Sequence, residues 1–297
     1  FDPVNNVTAN IARSRSDEAL IFRLGAQYDV SDDTNIFATL TRGFKGGGFD
    51  TGPTGNTATD VLPEEPTSYE IGLRSVFRPA GITLNVTGFW QDIANLQVQG
   101  RDPNNTLNFF LLNAATARTR GVEWEISWSP RLDNAELSFD FQGAYTDATF
   151  RQFPLAPCFR GQSAAQGCVG GVQNLSGAPL PLSEEWSLNL TTTLEVPLGS
   201  SGLQLTGVAF GGYKSDSNLG SVNDPNQVQE GYPLIHLSLG IGDIDESWAV
   251  RAFVRNLTDQ IYATRSISTI FGGPGGYAEY YPYDAQRVVG VSGEVRF

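Results

Sequence analysis

One histidine, His236, serves the whole chain of 297 residues, so a Ser-His-Asp arrangement would have to be built around it. It sits in the middle of an alternating segment, on the polar side, where a wall-lining or ligand-contacting role suits it better than nucleophile activation. Glu123 and Glu125 are paired carboxylates two residues apart. General acid and base work would need them in a cleft that drives their proton affinities apart. Arg251 and Arg255 form a second like-charged pair, suited to lining a polar interior and pairing with a domain inside it, or to meeting an anionic solute. Cys158 and Cys168 share one polar, Gly-rich stretch, a spacing for a short local disulfide and an oxidising compartment. Zinc would want more ligands than these residues supply, and no metal or cofactor is expected. The glycine runs 46–48 and 272–276 lack the following helix and lysine of a phosphate loop. No set of residues amounts to a catalytic constellation, and the expectation is a protein that is not an enzyme.

The residues best suited to binding are aromatic and lie between alternating segments: Phe109, Phe110, Tyr277, Tyr280, Tyr281 and Tyr283. Rings on loops can stack on a planar siderophore, haem or sugar. They can equally anchor a rim at a membrane interface, and Tyr280 and Tyr281, which abut the last segment, lean that way. The candidate ligand contacts are therefore Phe109, Phe110, Tyr277, Arg251, Arg255 and His236.

The elements that must position them are strands. From Leu20 to Tyr28 the residues Leu20, Phe22, Leu24, Ala26 and Tyr28 take one face, and Arg23, Gly25 and Gln27 the other. The same period of two recurs in Tyr69–Phe77, Ile82–Gln91, Val122–Trp128, Glu136–Tyr145, Trp186–Glu195, Leu203–Tyr213, Ile235–Ile241 and Trp248–Arg255, and closes in Val289–Phe297. About eleven such segments are expected, each near the roughly 10 residues that cross a bilayer at a tilt. Short turns alternate with long polar loops, as an outer-membrane barrel sorts periplasmic turns from extracellular loops. Alternation alone leaves open which face is buried. Strand length, loop sorting and aromatic strand ends (Tyr28, Trp90, Trp128, Tyr145, Tyr213) favour an all-β antiparallel transmembrane barrel, with apolar residues toward lipid and Arg74, Glu123, Glu125, Asp140 and Arg251 toward a wet lumen.

Composition agrees. The 32 acidic residues against 19 Lys and Arg give a formal charge of -13, which argues against nucleic acid and anionic membrane surfaces. A mean hydropathy of -0.19 would suit a soluble protein, but barrel strands are only half apolar. There is no methionine, and Phe1 to Ala19 hold no signal-like apolar stretch, so the natural start is expected to lie elsewhere.

At these residues the chain resembles the C-terminal half of a TonB-dependent outer-membrane receptor. Six segments keep that family's order: RGFKGGGFD (Arg42–Asp50), LPEEPTSYEIGLR (Leu62–Arg74), NAATARTRGVEWE (Asn113–Glu125), YTDATF (Tyr145–Phe150), VRNLTDQIYATR (Val254–Arg265) and YDAQRVVGVSGEVRF (Tyr283–Phe297). The resemblance implies that 1–297 supply the last eleven or so strands of a roughly 22-stranded barrel around a plugged lumen. The plug and the earlier strands are not in this sequence. The resemblance further implies ferric-siderophore uptake driven through TonB, with haem, cobalamin or oligosaccharide as other cargoes. A passive porin or adhesin barrel is the alternative of another class. TonB would act through the plug. The terminal aromatic, Phe297, would be read by the barrel-assembly machinery, although Ser292 stands where such receptors commonly carry glycine.

Overall fold

The computed structural model describes residues 12–50, 59–101, 109–114, 116–269, 276–283 and 285–296. Eleven long strands form one antiparallel sheet in strict sequence order. They are β1 (Phe22–Ser31), β2 (Thr34–Arg42), β3 (Glu65–Phe77), β4 (Ile82–Ala94), β5 (Thr116–Trp128), β6 (Glu136–Gln152), β7 (Trp186–Pro197), β8 (Leu203–Lys214), β9 (Tyr232–Asp243), β10 (Trp248–Arg255) and β11 (Val288–Val295). Helix among the described residues is limited to 3-10 turns at Arg78–Ala80, Ala164–Gln166 and Pro225–Gln227. No helix there is long and apolar enough to cross a membrane, which says nothing about crossing by strands.

The connections sort by length, as expected. Turns 32–33, 78–81, 129–135, 198–202 and 244–247 join strands at one end of the sheet, and loops 43–64, 95–115, 153–185, 215–231 and 256–287 join them at the other. Alternation read irregular structure into those loops, but each carries a two-stranded ribbon of its own. These are Gly48–Asp50 with Thr59–Val61, Gln97–Arg101 with Phe109–Asn113, Ala156–Pro157 with Val172–Gln173, Ser217–Asn218 with Val228–Gln229, and Arg265–Ser268 with Tyr277–Tyr280. With two to five residues per strand, such ribbons are too short for period-two patterning to stand out.

Register assigns the faces. Directly paired residues of antiparallel strands point the same way. The row Ile36, Leu73, Val86, Trp124, Gly143, Leu188, Tyr213 is therefore one face, and Asn35, Arg74, Asn85, Glu125, Gln142, Asn189 the other. The apolar face is uncovered: Leu24 is 61% exposed, Ile71 67%, Leu239 58% and Val291 72%. Aromatic residues mark both of its borders. Tyr28, Trp128, Phe139 and Trp248 lie toward the turns, and Tyr69, Trp90, Tyr145, Trp186 and Tyr213 toward the loops. Trp128 stacks on Phe139 at 5.2 Å and Tyr145 meets Trp186 at 4.9 Å.

The buried hydrophobic core lies in the loop layer rather than under the sheet. Ala114, Phe150, Phe153, Ala156 and Leu175 form it, with Leu96, Val98, Leu112, Ala178 and Leu180 packed around them. This unites loops 95–115 and 153–185 with the end of β6.

Within the sheet, β5 and β6 approach closely where side chains are absent. A Cβ on Gly121 would lie 1.9 Å from the Tyr145 carbonyl oxygen. Gly121→Ala must push the two strands apart and should cost about 1–3 kcal/mol. Urea titration in liposomes would show it as a lowered midpoint, against a Gly211→Ala control whose added methyl meets nothing within 4 Å. Equal midpoints for the two variants would refute the close approach.

Candidate functional site

Chemistry-bearing residues gather at the loop end. On the charged face there, His236 of β9 stacks on Phe210 of β8, with ring centroids 5.1 Å apart and planes at 11°. Its Nδ1 accepts the backbone N–H of Asn256 at 2.8 Å, which leaves Nε2 as the nitrogen open to other partners. Asn256 itself is buried and ties the start of loop 256–287 to its end, donating from Nδ2 to the carbonyls of Gln260 and Ala285. Arg255 lies beside His236 on the neighbouring strand, its guanidinium 5.4 Å from the Phe253 ring centroid, with no carboxylate partner among the described residues. His236, Phe210, Phe253 and Arg255 thus make one cation- and ring-bearing patch. The sequence picked out two of its four members.

Arg251, four residues earlier on β10, is separate. It lies toward the turns and pairs with Glu294 at 3.3 Å, and Arg296 bonds the same carboxylate at 3.1 Å. An arginine so engaged is part of the wall. The expected arginine pair therefore divides into one ion-paired residue and one that, among the described residues, meets an aromatic ring but no carboxylate.

Tyr277 also departs from expectation. The sequence places its ring exposed on a loop, but it is half-buried in the ribbon Tyr277–Tyr280 and its hydroxyl donates to Asp224 at 2.8 Å. Burial, then this hydrogen bond, raise the phenol above its ordinary value. Asp224 is fully buried and also accepts from the backbone and side-chain amides of Asn226. Asp224 and Asn226 thereby tie loop 215–231 to loop 256–287, while Asn223 donates to the Pro179 carbonyl of loop 153–185 at 2.9 Å. Tyr277 is a strut rather than a free stacking platform.

Phe110 is partly exposed in the ribbon Phe109–Asn113, opposite Gly100. Phe109 pairs with Arg101 through its backbone, and its side chain lies outside the described residues. Cys158 and Cys168 are joined, with Cα atoms 5.8 Å apart, and brace loop 153–185. Glu123 and Glu125 face the polar side, where Asn85 donates to Glu125 at 3.3 Å. Among the described residues no group of His, Cys, Asp and Glu is arranged to hold a metal. Phe297 and the glycines 272–275 lie outside the described residues.

The sheet thus has a bare apolar face on one side and its packed, chemistry-bearing side chains collected in the loops at one end. The sequence matches the family model described as TonB dependent receptor-like, beta-barrel, over residues 1–257. The chain belongs to this family. The pesticin receptor of Yersinia pestis is 30% identical over 115 residues, which are 38% of this chain and 16% of that protein. Among solved structures, the ferric yersiniabactin uptake receptor FyuA from Yersinia pestis superposes with a TM-score of 0.68 at 19% identity, covering 93% of this chain and 37% of that one. BauA, the ferric preacinetobactin receptor from Acinetobacter baumannii, gives 0.59 at 16% identity, covering 92% and 35%. At such identities the likeness shows the fold. The chain spans little more than a third of the receptor structures that it matches.

Family membership accounts for the sheet's inverted dress. In a soluble β protein the apolar face would be packed, whereas in a receptor barrel it meets lipid and the charged face lines the lumen. The patch around His236 and Arg255 then faces the lumen just below the loops.

Proposed function

We propose that the protein containing this chain takes up a ferric siderophore across the bacterial outer membrane, driven by TonB, and that residues 1–297 form the C-terminal eleven strands of its barrel. The observation that carries the reading is the loop-end layer set on a bare apolar wall with two aromatic borders, in a chain of the TonB-dependent receptor family. FyuA and BauA, whose names record ferric yersiniabactin and ferric preacinetobactin, favour that cargo over haem, cobalamin or oligosaccharide. Among the described residues β1 and β11 each pair on one side only, and because an unpaired strand edge in hydrocarbon is prohibitively costly, this supports a wall completed by further strands. With a plug in the lumen, Glu123 and Glu125 would meet its basic groups and the loops would face the ligand. Phe297 would serve barrel assembly, and the uncovered face would contact outer-membrane lipid.

The full-length protein, purified in detergent, tests this by tryptophan quenching with ferric chelates, haem and cobalamin as competitors. Saturable binding of a ferric chelate with sub-micromolar Kd is expected. Binding of haem or cobalamin alone would reassign the cargo, and steady ion conductance in planar bilayers would point to a porin.

A further inference from the structure

A cavity of about 330 Å³ opens where four of the five loops meet. Val98 comes to it from loop 95–115, Leu182 from 153–185, Leu219 and Gln227 from 215–231, and Ile267 from 256–287. Among the described residues, Arg265 is the only charged side chain in its lining. That arginine is exposed and has no carboxylate partner among the described residues. Several other loop-end cations are paired, Lys45 with Glu64, Lys214 with Glu184 and Arg287 with Asp259, whereas Arg255 on the wall below shares with Arg265 the lack of such a partner among the described residues. In a chain with 32 acidic residues, a lone cation in an otherwise uncharged cavity is a deliberate environment for negative charge.

The cavity's floor is built rather than fortuitous. Gln227 and Ser266 are buried, and the Gln227 amide donates to the Ser266 hydroxyl at 3.1 Å across two loops. The Leu219 N–H donates to the Gln227 carbonyl at 2.7 Å, and Leu182 N–H to the Asn218 carbonyl at 2.9 Å. Gly220 in the lining leaves room for the Gln227 amide, whose oxygen would lie 2.2 Å from a Cβ there. A preformed floor leaves little ordering cost for a ligand. The size falls at the lower end of small-molecule sites, and apolar walls around a few polar groups are their usual dress.

We propose that this cavity is a ligand subsite for an organic anion, and that Arg265 grips its carboxylate or phenolate group through the guanidinium fork. The apolar side chains hold the organic frame. The inference rests on the uptake reading above and narrows its cargo to ferric chelates with an anionic arm. None of the residues singled out from sequence lines the cavity. Tyr277 stands behind it, opposite Ser268 in the ribbon and bonded to Asp224.

The test uses the full-length protein in detergent with two probes, ferric citrate as an anionic chelate and ferrichrome as a neutral one. Wild-type protein should bind ferric citrate the more tightly. Arg265→Gln should weaken ferric citrate binding about 10–100-fold and change ferrichrome binding less than about twofold, the span expected of one charge-assisted hydrogen-bonded pair. Arg265→Lys, which keeps the charge but loses the fork, should fall between. Heat-modifiable electrophoretic mobility confirms that each variant is folded. Unchanged ferric citrate binding in Arg265→Gln, or a wild-type preference for ferrichrome, overturns the subsite and leaves the receptor reading standing. Wild-type protein that binds neither chelate overturns both.

Discussion

Phe150→Ala should cost the loop layer about 3–5 kcal/mol of local stability while leaving the eleven-stranded sheet assembled. Phe150 is fully buried at the end of β6 and packs on Phe153 with ring centroids 5.0 Å apart. Around it stand Ala114 from one loop and Leu175 from another. Removing the ring leaves a cavity that rigid backbone can fill only in part. The backbone here is held: Phe150 N–H donates to the Ala178 carbonyl at 2.9 Å and its carbonyl accepts from Gly177 at 2.6 Å. Val98 packs against this core and also lines the loop cavity, so loosening the core should weaken ligand binding too. Limited proteolysis on intact liposomes reads the first effect as faster cleavage within 95–115 and 153–185, with the heat-modifiable folded band retained. Loop cleavage as slow as in wild type would refute the assignment of the core to this layer. Loss of the folded band would instead show that the loop core supports the wall.

That core is also where sequence reading ran out. The wall was legible because its physics is local: side chains alternate every second residue, and eleven stretches of it survive unbroken. The division of each strand into two faces and the sorting of turns from loops follow from that periodicity, while strand length and aromatic strand ends decide which face meets lipid. Phe150, Phe153 and Leu175 instead combine through chain-distant contacts that no local pattern announces. Tyr277 looked exposed because its partner, Asp224, is 53 residues away. Arg251 and Arg255 looked equivalent because both fall on the polar face. Only the pairing of β10 with β11 gives Arg251 a carboxylate and leaves Arg255 without one. Arg265 fell inside a segment quoted for its family likeness, yet lack of an ion-pair partner is a property of three-dimensional neighbours. The phenylalanines among polar lumen residues have an account that the structure alone supplies. Phe37 of β2 lies over Gly72 of β3, and Phe253 of β10 over Gly290 of β11, each ring covering backbone that its partner leaves bare.

The bare apolar face yields the second large effect, because it separates a membrane wall from a packed core by sign. Leu239 and Ser238 are neighbours on β9 that point to opposite faces. If Leu239 meets hydrocarbon near the middle of the wall, Leu239→Arg should destabilise the barrel by about 2–4 kcal/mol, a cost that declines toward either interface. Ser238→Arg projects to the polar face beside Val208 and Phe253, where water can solvate the guanidinium, and should cost much less. A soluble sandwich that buried the Leu239 face would also suffer from the first substitution, so depth supplies the discriminating contrast. Val250→Arg, nearer the turns on the same face as Leu239, should cost less than Leu239→Arg in a bilayer, since its side chain can reach the headgroups. In a packed core no such gradient arises along the strand direction. Urea-dependent unfolding of the full-length protein from phosphatidylcholine liposomes measures all three. Equal destabilisation by Leu239→Arg and Val250→Arg, with Ser238→Arg no milder, would sink the lipid-facing assignment and, with it, the membrane barrel.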